Sequence, residues 1–281
     1  MTDANGAWLA PAKLNLMLRI VGRRSDGYHL LQTVFQFIDH CDRLYFEPRD
    51  DGQVVRRRGA PGVLPEQDLV VRAAEALKAR CGCGNGVTIE VDKVLPMGGG
   101  LGGGSSNAAT TLVALNRLWA LGLDVDGLAD LGLTLGADVP VFVRGRAAWA
   151  EGVGERLTEV ELPEPWYLVL TPPVSVVTAA VFSDPGLTRN SRSVTMADFL
   201  AGAAQNDCLD VVLLNYPAVA EAFAWLESNA GSARLTGTGG CVFAIFASER
   251  EARQVASSAP ARFAAFVARG CNRSPLFDEC H

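Results

Sequence analysis

Residues 86–119, GVTIEVDKVLPMGGGLGGGSSNAATTLVALNRLW, place six glycines in the seven positions from Gly98 to Gly104. Upstream, Val87, Ile89 and Val91 alternate with other residues at the period-two spacing of a strand. Downstream, Leu112, Val113, Leu115 and Trp119 form an apolar stripe at helical spacing, with Ser105 or Ser106 as the expected N-cap. Strand, glycine loop and helix start together make an anion cradle. Glycine lets the backbone approach closely with its N–H groups turned inward. The helix adds its free N–H groups and the positive end of its dipole. A flexible turn is the competing reading, and glycine at this density in an ordinary composition weighs against it.

Three common phosphate loops fail on their second requirement. A Walker A loop needs lysine after its last glycine, where Ser105 stands. Gly98, Gly100 and Gly103 satisfy GxGxxG, but a dinucleotide fold also needs an acid ending a second strand about 20 residues on. Asp124 and Asp126 instead lie in a turn after the helix. The HRD and DFG companions of a protein-kinase loop are absent.

Outward from the loop, residues 13–20 (KLNLMLRI) read as a half-buried strand with Lys13 and Asn15 on one face. Asp26-Gly27 marks a turn before a second strand, LLQTVFQFIDH. Residues 50–66 read as an irregular hairpin or loop, and residues 69–80 as a helix. A further helix over residues 126–135 precedes Asp138 and the apolar run VPVFV. Two prolines in ELPEPW (residues 161–166) mark an expected junction between an N-terminal domain, 1–162, and a C-terminal one, 163–281. Beyond it come a strand at 167–170, a helical region, a strand at 241–246 and a helix at 249–256. Strands and helices mix without a regular βαβ repeat, which points to an α+β fold.

The composition fits an enzyme-sized globular protein: 281 residues, 49% hydrophobic, 20% charged. A net charge of −6 argues against a nucleic-acid-coating surface, which is usually basic, yet permits one basic pocket for an anion. Apolar stretches such as residues 166–182 are broken by Pro172 and Pro173, and none approaches the roughly 20 residues of a membrane span. The opening MTDANGAWLAPAK has neither a basic nor an apolar signal region. Seven scattered cysteines, with no CxxC, read as free thiols of a reducing cytoplasm.

PMGGGLGGGSSNA resembles the second motif of the GHMP kinases, typically P-x-x-x-G-L-G-S/G-S-S/A. PAKLNL (residues 11–16) resembles the family's first motif, and LTGTGGCVFAIF (residues 235–246) its third. The resemblance covers nearly the whole chain and implies a two-domain fold, with an N-terminal ATP-binding domain and a C-terminal substrate domain closing over a cleft. The combination of AKLNL, DGYH and LGADVPVF is that of family members whose substrate carries a cytidine diphosphate moiety. It implies phosphorylation of the 2-hydroxyl of a methylerythritol carrying that group, in the non-mevalonate route to isopentenyl diphosphate. A GHMP kinase acting on another small alcohol, such as homoserine or mevalonate, is the alternative.

By the same resemblance, Asp138 accepts or orients the substrate hydroxyl proton and Lys13 stabilises charge on the moving phosphoryl group. Pro96, Met97, Gly98, Gly99, Gly100, Leu101, Gly102, Gly103, Gly104, Ser105 and Ser106 are expected to hold ATP, the co-substrate. Asp68, Leu69 and Lys93 are expected beside its nucleoside. Relatives often carry Asn at position 68, and a carboxylate cannot donate to adenine as an amide does. Asn15, Tyr28, His29, Thr178, Phe182 and Gly239 are the substrate candidates, the cytosine ring lying between Tyr28 and Phe182. Mg2+ is expected on the phosphates, with no protein metal ligands assigned. The remaining expectations are a monomer or weak homodimer in the cytoplasm, with no nucleic acid or membrane as partner.

Overall fold

The computed structural model describes residues 2–3, 5–25 and 27–277. Trp8–Arg23 (β1) and His29–Arg49 (β2) form a long antiparallel ribbon. Its turn carries Gly27 at φ +92°; Asp26 lies outside the described residues. Val54–Arg58 (β3) and Gly86–Asp92 (β4) pair in parallel, joined through Leu69–Cys81 (α1). Next come Gly103–Leu118 (α2), Val125–Leu133 (α3) and Val139–Arg144 (α4). Ala148–Gly152 (β5) and Arg156–Glu159 (β6) form a hairpin, with β5 on β2.

The second half begins with Trp166–Thr171 (β7) and the helices Thr178–Ser183 (α5), Met196–Leu200 (α6), Leu209–Asn215 (α7) and Pro217–Ala230 (α8). Arg234–Leu235 (β8), Val242–Phe246 (β9), Glu249–Ala256 (α9) and Ala264–Cys271 (β10) complete it. β10 runs antiparallel to β7 and also meets β2 through Gly270 and Cys271. The halves thus share one ten-stranded sheet, with a path β3-β4-β2-β10-β7-β9-β8.

Several local expectations change. β1 is not half-exposed: from Ala10 to Leu18 it is buried throughout, Lys13 at 3% and Asn15 at 4% exposure. The glycine loop lies against it, with Lys13 N donating to Leu101 O at 3.0 Å. β3 occupies part of the stretch expected as loop, where pairing with β4 outweighs its arginine-rich composition. The N-cap of α2 is Gly102 at φ +72°, rather than Ser105 or Ser106. Only glycine takes that conformation freely, and an added Cβ would sit 2.8 Å from Phe142. The VPVFV run is the short helix α4, buried from Val139 to Val143.

Apolar packing spans the halves. One core lies under α1 to α4, and another gathers Leu168, Leu170, Val212, Leu226 and Val242 with Leu18 and Ile20 of β1. A third joins Leu14, Met17, Val34 and Leu101 to Tyr167, Val169 and Phe243. No single described helix is long and apolar enough to cross a membrane.

Candidate active site

Beside the sheet lies a cavity of about 570 Å³. Pro96 to Ser105 form one wall, Lys13, Asn15, Thr33 and Phe35 line it from β1 and β2, and Asp138 stands at the N-terminal end of α4. Ala60, Val63, Asp68 and Leu69 close one end; Leu18, Leu31, Thr178, Phe182, Gly237 and Thr238 line another part.

Two glycine loops are built into each other. Gly100 has φ +76°, and a Cβ there would lie 2.1 Å from Thr236 O. Cys241 N donates to Gly99 O at 3.0 Å, and the Thr236 hydroxyl donates to Gly100 O at 3.1 Å. Asn206 steadies the second loop, its Nδ2 donating to Leu235 O and Gly237 O, both at 2.9 Å. Close backbone approach, rather than flexibility, accounts for this glycine density.

Lys13 and Asp138 meet across the cavity, with Nζ to Oδ2 at 3.4 Å. The same ammonium donates to Gly100 O at 3.1 Å and to Asn15 Oδ1, and lies 5.3 Å from the Phe35 ring centroid. The asymmetry of exposure matters: the Asp138 side chain is 34% exposed, Lys13 only 3%. Lys13 is therefore a held charge on the floor, and Asp138 a carboxylate with room for an incoming hydroxyl.

Lys93 pairs with Asp42, a fully buried carboxylate whose Oδ1 also accepts from Val94 N at 2.7 Å and Leu95 N at 2.8 Å. Asp42 thereby secures the entry into the glycine loop. Asp68 accepts from Val70 N at 3.2 Å as the N-cap of α1 and pairs with Arg56 at 2.5 Å. Both contacts hold Asp68 where it lines the cavity.

Tyr28, His29, Ser106 and Gly239 do not line the cavity, although sequence reasoning grouped them with it. Tyr28 is 64% exposed. The ring stacked on Phe182 is that of His29, at 4.9 Å between centroids and 20° between planes. Arg189 ties this pair down: Nε donates to His29 Nε2 at 3.2 Å, and Nη2 donates to Phe182 O at 2.9 Å. Burial, then the charges of Arg189 and Arg23, lower the His29 pKa below its ordinary value. Ser106 is fully buried, with no partner for Oγ. Gly239 turns toward Val212 and Leu235.

The reading from sequence missed Thr33, Asp42, Arg189, Asn206, Thr236 and Thr238. Only Thr236 and Thr238 had a local signal, lying within LTGTGG; the others are single polar residues whose partners are distant in the chain. Among the described residues no cluster of three His, Cys, Asp or Glu side chains is placed to hold a metal. Burial pushes the Cys41, Cys208 and Cys241 thiols up to about 12, leaving them poor nucleophiles. Cys280 lies outside the described residues.

A glycine loop at a helix start, facing a held lysine and an accessible aspartate, defines a small-molecule kinase. Residues 68–146 match the family model of the GHMP kinases N terminal domain, and residues 192–265 that of GHMP kinases C terminal. The chain is 56% identical to the 4-diphosphocytidyl-2-C-methyl-D-erythritol kinase of Nitrosococcus oceani, over 96% of each chain. It is 58% identical to the kinase of the same name from Pseudomonas paraeruginosa, over 95% of this chain and 94% of that one. A crystal structure of 4-(cytidine 5'-diphospho)-2C-methyl-D-erythritol kinase superposes with TM-score 0.81 at 33% identity, covering 93% of this chain and 98% of that one. The chain belongs to the GHMP kinase family, among its 4-diphosphocytidyl-2-C-methyl-D-erythritol kinases.

Proposed function

We propose that the protein transfers the γ-phosphoryl group of ATP to the 2-hydroxyl of 4-diphosphocytidyl-2-C-methyl-D-erythritol, giving the 2-phosphate and ADP. This is a step of the non-mevalonate route to isopentenyl diphosphate. The observation that carries the reading is the Lys13–Asp138 pair opening into the same cavity as the glycine loop. Phosphoryl transfer demands alignment and charge stabilisation more than covalent chemistry. The substrate oxygen bonds to the γ-phosphorus as the bond to the ADP oxygen breaks. Asp138 accepts or orients the hydroxyl proton, and Lys13 stabilises the negative charge spreading over the transferred group. Residues 96–106 carry the phosphates, with Asp68, Leu69 and Lys93 by the nucleoside.

Asn15, Thr178 and Gly239 stand with Tyr28, His29 and Phe182 as the substrate set. The His29–Phe182 stack supplies an aromatic face for a pyrimidine, and Tyr28 flanks it along the chain. Homoserine and mevalonate have no base to use that platform. Mg2+, when bound, would supply charge neutralisation for the phosphates. The residues fit such an ion: Ser105 and Asn107 line the cavity, Asn107 Oδ1 is buried without a partner, and Asp138 adds one accessible carboxylate. The domain boundary at 162/163, a monomer or weak homodimer, and a cytoplasmic setting belong to the same proposal.

The test is ADP release from ATP and Mg2+ with the cytidyl compound, homoserine or mevalonate as acceptor. Turnover with the cytidyl compound alone is expected; turnover with either other alcohol instead would overturn the substrate assignment.

A further inference from the structure

Thr33 lies on β2 opposite Leu18 of β1, is 1% exposed, and borders the cavity beside Asn15. Its hydroxyl donates to Met17 O at 2.5 Å, which leaves only lone pairs toward Asn15. Asn15 Nδ2 donates to that oxygen at 2.8 Å. On the other side, Asn15 N donates to Thr236 Oγ1 at 3.0 Å, whose own hydrogen goes to Gly100 O.

An asparagine amide is an acceptor at one end and a donor at the other. With its donor end on Thr33, Oδ1 is turned to the Lys13 ammonium. Reversal would set an NH2 group against an NH3+ group, and a carbonyl oxygen against a hydroxyl whose hydrogen is committed elsewhere. Both mismatches would lie where water does not relieve them.

We infer that Thr33 is a positioning residue for phosphoryl transfer, fixing the Asn15 amide so that Oδ1 holds Lys13 over the reacting phosphoryl group. The inference rests on the reading of Lys13 and Asp138 as the reacting pair. Thr33 acts through Asn15. The hydrogen-bond chain runs Met17 O, Thr33, Asn15, Lys13, so the direction of every donor is set from the backbone outward.

The experiment compares Thr33→Val, Thr33→Ser, Asn15→Ala and the Thr33→Val/Asn15→Ala double variant with the unaltered enzyme. Valine keeps the volume and removes the acceptor. Thr33→Val is expected to lower kcat about ten-fold while the KM for ATP stays within about two-fold, because misplacement of a charge affects the transfer step more than nucleotide binding. Thr33→Ser is expected to retain kcat within about two-fold, since the hydroxyl alone sets the amide. The double variant is expected to match Asn15→Ala alone, because residues acting in series are not additive. Unchanged kcat in Thr33→Val, failure of serine to rescue, or multiplied losses in the double variant would each overturn the inference. If Thr33→Val does not fold, Thr33→Ala takes its place with the same readouts.

Crystal structures of the unaltered and Thr33→Val proteins give a readout without turnover. The ammonium is expected to leave its position 3.1 Å from Gly100 O in the variant. An unmoved Lys13 would sink the proposal whatever the substrate. If the unaltered enzyme phosphorylates homoserine or mevalonate, the substrate reading fails, and the Thr33 comparison is made with that alcohol.

Discussion

The Lys13 ammonium donates to Asn15 Oδ1 and Gly100 O and is ion-paired with the Asp138 carboxylate. A buried cation so held has little freedom to follow the reaction, so it works as a preorganised charge. Lys13→Met is expected to lower kcat by about 10²–10³-fold, the range of lost oxyanion-type stabilisation. Asp138→Asn is expected to lower kcat by about 10²–10⁴-fold through loss of the proton acceptor. In both, equilibrium binding of ATP is expected to change far less, and calorimetric titration beside steady-state kinetics checks the split. Wild-type turnover in the Asn variant would remove Asp138 from the mechanism. His29 makes a pH prediction. Its Nε2 accepts from Arg189, so the neutral ring is the one the structure holds. Its folded pKa is lowered, so as pH falls through about 6.5 the unfolded chain takes up the proton first and stability is lost on acidification. Well above that pH both states are neutral and the contribution is flat. Because the folded ring charges only below the ordinary imidazole value, the KM for the cytidyl substrate is expected to stay level from pH 8 down to about 6.5 and to rise only on further acidification, with the KM for ATP steady. His29→Gln should flatten that rise.

At the scale of elements, the glycine loop and the 235–240 turn behave as one unit. Gly100 and Gly240 both have positive φ, and a Cβ on either would strike the opposite backbone, at 2.1 Å from Thr236 O and 2.4 Å from Gly98 O. Backbone cannot swing aside as a side chain can. Gly100→Ala is therefore expected to weaken ATP binding at least ten-fold, a loss of about 1.4 kcal/mol, and to lower the melting temperature, both readable by calorimetry. Unaltered ATP affinity would show that the two loops can separate without harm. Helix α2 illustrates why its start was misplaced. Serine is a strong N-cap by propensity, but the loop needs a left-handed residue at Gly102, beside Phe142 and Lys13, and that requirement decides the helix start.

Across the whole molecule, β2 and β10 join halves far apart in sequence, and one buried contact bolts the seam. Tyr167 Oη donates to Gln36 Oε1 at 2.5 Å, and Gln36 Nε2 donates to Pro163 O at 2.9 Å. Burial raises the Tyr167 pKa, so the phenol remains a donor through the neutral range. Tyr167→Phe removes that donor from a buried amide oxygen and is expected to cost about 1–3 kcal/mol. Denaturant unfolding of the variant tests this, and a change below 0.5 kcal/mol, the scale of ordinary surface substitutions, would show the seam is held by apolar packing alone.

The features legible in the chain alone are local and repetitive. The glycine run, the extended character of β1 and the helical stripe of α1 each declare themselves within a few neighbours, although the alternation in β1 does not correspond to alternating burial. The motif order carried the family and placed Lys13, Asp138 and the phosphate loop. Tertiary structure alone decided what those residues touch. Asn15 reads from the sequence as a substrate candidate on the Lys13 face of the strand; only the fold shows that its amide also joins Lys13 to Thr33. The sequence reading sets a cytosine ring between Tyr28 and Phe182; that Phe182 also stacks on His29, whose Nε2 accepts from Arg189, is visible only in the fold. β10 left no mark that distinguished it, since its role depends on strands more than 90 and 220 residues away in the chain. Contacts made across such separations depend on the sum of many packing energies, which no short window of sequence contains.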